Sequence, residues 1–228
     1  MPLNIAIDGP VGAGKSSIAR EVARRLNILH LDTGAMYRAV GYTALMRNLS
    51  PEDEKALEDL CGQLTIEVLY RNGRQQTLVD GSDVSHLIRT PEVGMAASTV
   101  SRWGAVRRHM VGLQRALAKD TPMVVDGRDI GTNVLPDAGV KIFLTATPEE
   151  RARRRYLELQ AAGAKDTYEE VLKDLHRRDL QDTTRPIDPL RPAEDAVLLD
   201  STHLDMDQVV DRILAIVEAR YGKTAEKP

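Results

Sequence analysis

Short runs of consecutive apolar residues alternate along this chain with longer stretches in which apolar positions recur every three or four residues. That is the pattern of buried strands separated by helices. Leu3-Asn4-Ile5-Ala6-Ile7-Asp8 predicts a first strand, and Ile18, Ala19, Val22, Ala23 and Leu26 predict one face of the helix behind it. Ile28-Leu29-His30-Leu31 reads as a second strand, followed by helices over about 35–48 and 51–64, the latter carrying Leu57, Leu60 and Leu64 on one face. The period then changes to alternation. Thr65 to Tyr70 and Gln76 to Val79, punctuated by Asn72-Gly73 and Asp80-Gly81, predict a small antiparallel meander. Because it interrupts the α/β alternation, 65–90 is expected to be an inserted β lobe able to move as a rigid body. Pro91 opens a helical region running to Lys119. Met123 to Asp126 and Lys141 to Thr145 are the third and fourth strands, with Thr147 capping and Pro148 opening the next helix. Tyr168 to Gln181 is amphipathic, Pro186, Pro189 and Pro192 enforce an extended connector, and Val197 to Asp200 is a fifth strand. Val209, Val210, Ile213, Leu214 and Val217 form the apolar face of a last helix, and residues 222–228 are expected to fray.

At 228 residues the chain suits one substantial domain with a smaller inserted unit. No apolar run approaches the ~20 residues of a membrane span, and the start lacks the basic and apolar regions of a signal peptide. The single cysteine, Cys61, cannot form an internal disulfide, which fits a reducing compartment. A cytoplasmic protein with no membrane partner is therefore expected. The net charge of −3 supplies no global basic field, and the 4% aromatic content no stacking platform, so no nucleic-acid partner is expected either.

The chemistry concentrates in a few stretches. Gly9-Pro10-Val11-Gly12-Ala13-Gly14-Lys15-Ser16 fits G-x-x-x-x-G-K-S/T between a strand and a helix. Its glycines let the backbone wrap with N–H groups inward, and the helix dipole adds to the same hollow, which suits a triphosphate. Lys15 would bridge the β- and γ-phosphates, and Ser16 would coordinate Mg²⁺ directly or through water. A missing third glycine disfavours dinucleotide binding. Asp32-Thr33-Gly34 with Tyr37 and Arg38 is either a plain helix cap or a site for an acceptor phosphate. Arg151, Arg153, Arg154 and Arg155 are either a solvated helix with i to i+4 charge pairs or a mobile lid over donor phosphates. Gly127-Arg128-Asp129 follows a strand's carboxyl end, where open α/β sheets bind ligands. Arg178, Asp182 and Arg185, spaced i, i+4, i+7, share a face if their helix continues that far. A kinase of another small acceptor is a competing reading. A guanine-nucleotide switch is a weaker one, since no Asn/Thr-Lys-x-Asp tetrapeptide occurs.

Taken together, these stretches resemble the bacterial cytidylate kinases, a family of nucleoside monophosphate kinases. The matching blocks are Ile7-Asp8-Gly9-Pro10 with Gly12 to Ser16, Leu31-Asp32-Thr33-Gly34-Ala35-Met36-Tyr37-Arg38, and Asp126-Gly127-Arg128-Asp129-Ile130-Gly131-Thr132. Lys141-Ile142-Phe143-Leu144, Glu149-Glu150-Arg151-Ala152, Arg178-Asp179 with Asp182 and Arg185, and Leu199-Asp200-Ser201-Thr202 follow in family order. The loop alone is shared by many ATPases; the Gly-Arg-Asp block and the meander are more selective. The resemblance implies an α/β P-loop kinase fold, a five-stranded parallel sheet wrapped by helices, in a single domain over 1–228. A small antiparallel β insert at 65–90 enlarges its NMP-binding part, and 148–165 forms an arginine-rich lid. It implies a monomer that uses ATP with Mg²⁺ as donor, held by Gly9 through Ser16 and by Ser17, and CMP or dCMP as acceptor. Carried over, Thr33, Tyr37, Arg38, Arg128 and Arg185 hold the acceptor phosphate, Ser98, Arg107 and Asp129 read cytosine, and Asp182 with Arg178 meets the sugar. Lys15, Arg128, Arg154 and Arg185 supply the catalytic charge, with Arg154 competing against its neighbouring arginines for the lid contact. Many relatives have Ser at Thr33 and Val at Asn133. Thr33 keeps the hydroxyl, whereas Asn133 has no assigned role. The attacking group would be a phosphate with a second pKa of about 6, mostly dianionic at neutral pH, so no general base is required.

Overall fold

The computed structural model describes residues 2–161 and 163–222. Ala162, within the 148–165 segment, and the 223–228 part of the expected fraying tail lie outside the described residues. In chain order, β1 (Asn4–Asp8) leads through the glycine-rich loop into α1 (Lys15–Leu26), which Asn27 ends in a left-handed conformation. β2 (Leu29–Asp32) passes directly into α2 (Thr33–Met46). The Asp32 carboxylate accepts from the Ala35 N–H, so the helix begins at Thr33 rather than at Ala35. Asp53 caps α3 (Glu54–Gln63) in the same way and leaves Pro51 outside it.

The meander is present as β3 (Ile66–Arg71), β4 (Arg74–Val79) and the two-residue β5 (Ser82–Asp83). Both corners, Asn72-Gly73 and Asp80-Gly81, hold positive φ, the geometry that two-residue hairpin turns require. The helical region 91–119 comprises two helices, α4 (Pro91–Val100) and α5 (Gly104–Ala118). Ser101–Trp103 leave the helix, and the Trp103 indole donates to the Pro51 carbonyl at 2.9 Å. The residue that ends the break thus bonds a partner distant in sequence, which no local period records. β6 (Met123–Gly127), a π-helical turn at Ile130–Val134, β7 (Val140–Thr145) and α6 (Pro148–Ala161) follow. α7 (Tyr168–Thr184), β8 (Val197–Asp200) and α8 (Met206–Tyr221) complete the chain. Capping boxes open α7 (Thr167 with Glu170) and α8 (Asp205 with Gln208). α7 runs past Gln181, so Arg178 and Asp182 lie on one helix and Arg185 is its C-cap.

The main sheet has five strands in the order β2-β6-β1-β7-β8, and a separate three-stranded sheet has the order β3-β4-β5. The described residues form two compact units, residues 3–28 with those from 122 to 222, and residues 29–121. In the first, β1 pairs in parallel with β6 (Asp8 opposite Gly127) and with β7 (Asp8 opposite Phe143), while β7 pairs in parallel with β8. The loops that leave β1, β6 and β7 therefore emerge at the same carboxyl edge. Behind them Ile5, Ile7, Val124, Ile142 and Leu144 form one core with Ile18 and Val22 of α1 and Val209, Val210, Ile213 and Val217 of α8, and Arg25 of α1 also pairs with Asp207 and Asp211 of α8. A smaller cluster joins Ala152 of α6, Val171 and Leu175 of α7, and Val11 of the glycine-rich loop. In the second unit α2 lies so close to α4 that a Cβ at Gly41 would stand 2.9 Å from the Ala97 nitrogen. Among the described residues, no helix is long and apolar enough to cross a membrane.

Candidate active site

The site is built first by glycine. Gly9 has φ +151°, and a Cβ there would stand 2.0 Å from the Leu144 carbonyl oxygen, so no other residue lets the loop leave β1 this close to β7. Gly12 and Gly14 also hold positive φ, and Gly14 starts α1 with no side-chain cap on the helix. The first N–H groups of α1 thus face the loop's interior, the arrangement that receives an anion.

Lys15 is buried, and its Nζ donates to the Pro10 carbonyl at 2.7 Å. Burial, reinforced by the positive charge of Arg128, pushes its pKa down to about 7. Ser16 Oγ donates to Asp126 Oδ2 at 2.8 Å, which sets a hydroxyl and a carboxylate side by side at the carboxyl ends of β1 and β6. Asp126 holds no place in the sequence-derived site, although an acid ending the buried strand before Gly-Arg-Asp was a visible signal. Asp8, in the Ile7-Asp8-Gly9-Pro10 motif, has a structural task. Its two carboxylate oxygens accept the N–H groups of Ile130 and Gly131, both at 2.7 Å, and burial raises its pKa to about 6. It ties the root of the loop to the turn that follows Gly127-Arg128-Asp129.

The Gly-Arg-Asp block meets the end of α7. Arg128 Nε donates to Asp182 Oδ2 at 2.7 Å, and Arg185 Nη2 to Asp129 Oδ1 at 2.8 Å. Asn133 donates from one Nδ2 to Asp129 Oδ2 and Asp188 Oδ2, both at 3.0 Å, and the Asp188 carbonyl accepts from Arg185 Nε. Asn133 therefore closes a ring through Asp129, Arg185 and Asp188. Arg178 pairs with Asp174 at 2.9 Å.

The arginines of α6 separate by environment. Arg151 is buried and bonded to the backbone of Ala146 and Val11. Arg153 and Arg155 make local pairs with Glu150 and Glu158. Arg154 reaches Glu150 at 2.9 Å and Ser201, through its Oγ at 3.1 Å and its carbonyl at 2.6 Å. In the second unit Asp32 caps α2 and also pairs with Arg38 (2.7 Å) and Arg89 (3.2 Å). Burial alone would raise the Asp32 pKa, but the charges of Arg38 and Arg89 outweigh it and hold the carboxyl well below the usual range. Thr33 is buried at the start of α2 with Tyr37 half-buried one turn on, Ser98 is half-buried on α4, and Arg107 is buried on α5.

A glycine-built anion cradle with lysine at the head of α1, set on a five-stranded α/β sheet, defines a P-loop kinase fold. Residues 5–219 match the family model described as cytidylate kinase. A cytidylate kinase from Caldicellulosiruptor bescii is 49% identical over 94% of this chain and 95% of its own length, and one from Halalkalibacterium halodurans is 48% identical over 96% and 98%. The chain belongs to the cytidylate kinase family. A solved sugar kinase from a Janibacter species, 14% identical and covering 100% of both chains with a TM-score of 0.50, shares the fold.

Proposed function

We propose that this protein transfers the terminal phosphoryl group of ATP to CMP or dCMP, giving ADP and CDP or dCDP. The supporting observation is the Gly9–Ser16 cradle, with Lys15 buried in it, inside a chain whose residues 5–219 match cytidylate kinases. Gly9 through Ser17 line the donor site and hold its phosphates by backbone N–H groups, Pro10 lining without donating, and Lys15 follows the charge of the group in transfer. The acceptor phosphate attacks in line as a dianion without a general base, its charge met by Arg128 and Arg185 together with Thr33, Tyr37 and Arg38. Asp182 and Arg178 meet the sugar, Ser98, Arg107 and Asp129 the base, and Arg154 the donor once it leaves Ser201. The protein acts as a cytoplasmic monomer in which 65–90 and 148–165 close over the nucleotides.

Mg²⁺ fits this donor set. Ser16 Oγ and Asp126 are hard oxygen ligands, and no group of three or more His, Cys, Asp or Glu side chains able to hold a metal occurs among the described residues. Phosphate oxygens and water would then complete the shell. Bound there, the ion neutralises charge on the donor phosphates.

Asp129 has a second reading, favoured by its contact with Arg185: it serves only to hold that guanidinium. Incubation with γ-labelled ATP and CMP tests the proposal as a whole. The label should appear in the β-phosphate of CDP, and label released only as inorganic phosphate would contradict it.

A further inference from the structure

Arg151 sends each nitrogen of its guanidinium to a different segment. Nε donates to the Ala146 carbonyl at the β7–α6 junction (3.0 Å), Nη1 to the Val11 carbonyl in the phosphate loop (3.0 Å), and Nη2 pairs with Asp179 Oδ2 on α7 at 2.7 Å. The Arg151 side chain is 5% exposed. The loop leans on the same place: a Cβ at Gly12 would stand 3.2 Å from Arg151 Cβ and 3.3 Å from Leu175, and Val11 joins the cluster formed by Ala152, Val171 and Leu175. Asp179 directly follows Arg178 and lies one turn before Asp182.

A planar fork has fixed bond directions, so it satisfies three acceptors at once in only one relative placement of loop, junction and helix. Val11 and Asp179 cannot shift independently while Arg151 joins them. We propose that Arg151 and Asp179 are positioning residues that couple the two nucleotide sites. Triphosphate in the loop fixes the Val11 carbonyl, Arg151 carries that order to Asp179, and α7 then presents Arg178 and Asp182 in the orientation that the monophosphate requires. Coupling of this kind is reciprocal, so CMP must tighten triphosphate binding by the same factor. The inference rests on the proposed donor and acceptor assignments.

Calorimetric titration of CMP into the full-length protein, with and without saturating β,γ-imido ATP and Mg²⁺, tests it. Asp179→Ala is the main variant, since the position is partly exposed on a helix and alanine favours helix; Arg151→Lys keeps the charge and removes the fork. The wild type should bind CMP about five-fold or more tightly with the analogue present. In both variants that factor should fall to within about two-fold of unity while CMP affinity without the analogue stays near wild type. A purely structural contact would lower the melting temperature and leave the factor unchanged, and that result overturns the proposal. So does a wild type with no coupling. A wild type that binds the analogue but gives no CMP heat overturns the acceptor assignment as well, which separates the two failures.

Discussion

Arg185 and Asp129 form a buried ion pair at 2.8 Å, their side chains 3% and 7% exposed. A carboxylate offers about four acceptor sites over its two oxygens, so one group can fix an arginine and also accept from the cytosine amino group, the pairing that carboxylates also make in reading cytosine elsewhere. Deleting Asp129 outright strips a buried charge of its partner and should cost about 3–5 kcal/mol of stability. Asp129→Asn is the cleaner probe. It should lower CMP-over-UMP discrimination in kcat/KM by about ten-fold or more, mainly through lost CMP activity. A folded Asp129→Asn protein with an unchanged ratio would leave Asp129 only the task of holding Arg185.

Lys15, with its pKa near 7, is largely neutral at pH 8 until an anion arrives. A bound polyphosphate restores the ammonium form, so binding of ATP at pH 8 should take up roughly one proton, and affinity should fall as pH rises above 7. Binding heats in buffers of different ionisation enthalpy measure this directly. Lys15→Met should abolish the uptake and lower phosphoryl transfer by several orders of magnitude with the fold intact. Equal heats in all buffers for the wild type would contradict it.

Asp8 titrates in the opposite sense. Its folded pKa, about 6, lies above the ordinary value of 3.8 because burial disfavours the charge. The stability it contributes is present below about pH 4 and is lost as pH rises through 6. Urea melts should show the advantage of wild type over Asp8→Asn largest near pH 4 and shrinking up to pH 7. A difference that does not vary with pH would refute the shift.

Asp182→Ala removes the partner of Arg128 and should raise the KM for CMP with little effect on that for ATP. Arg154→Ala should raise the KM for ATP or lower kcat instead. If both variants move the same parameter, the division between acceptor and donor residues is wrong.

The alternation of elements was legible because buried parallel strands read as unbroken apolar runs, and Ile5, Ile7, Val124, Ile142 and Leu144 are all core. The glycine loop was legible because its conformations leave few residue choices. What the pattern did not carry are contacts fixed only in three dimensions. The Trp103 indole at the break of Ser101–Trp103 bonds the Pro51 carbonyl, and the π-helical turn at Ile130–Val134 gives two N–H groups to Asp8. Among four adjacent arginines, nothing in their spacing tells that Arg151 is buried against Val11 while Arg153 stays in solvent. Asn133 had no role in the sequence because its partners, Asp129 and Asp188, converge only through the fold.

Acceptor identity is tested by one set of initial rates: ADP release with CMP, dCMP, UMP, AMP, GMP and dTMP at fixed ATP and Mg²⁺. CMP and dCMP should be turned over efficiently, UMP far more slowly, and the other three no faster than ATP is hydrolysed without an acceptor. Preference for any other monophosphate, or ADP release that does not depend on an acceptor, would contradict the account.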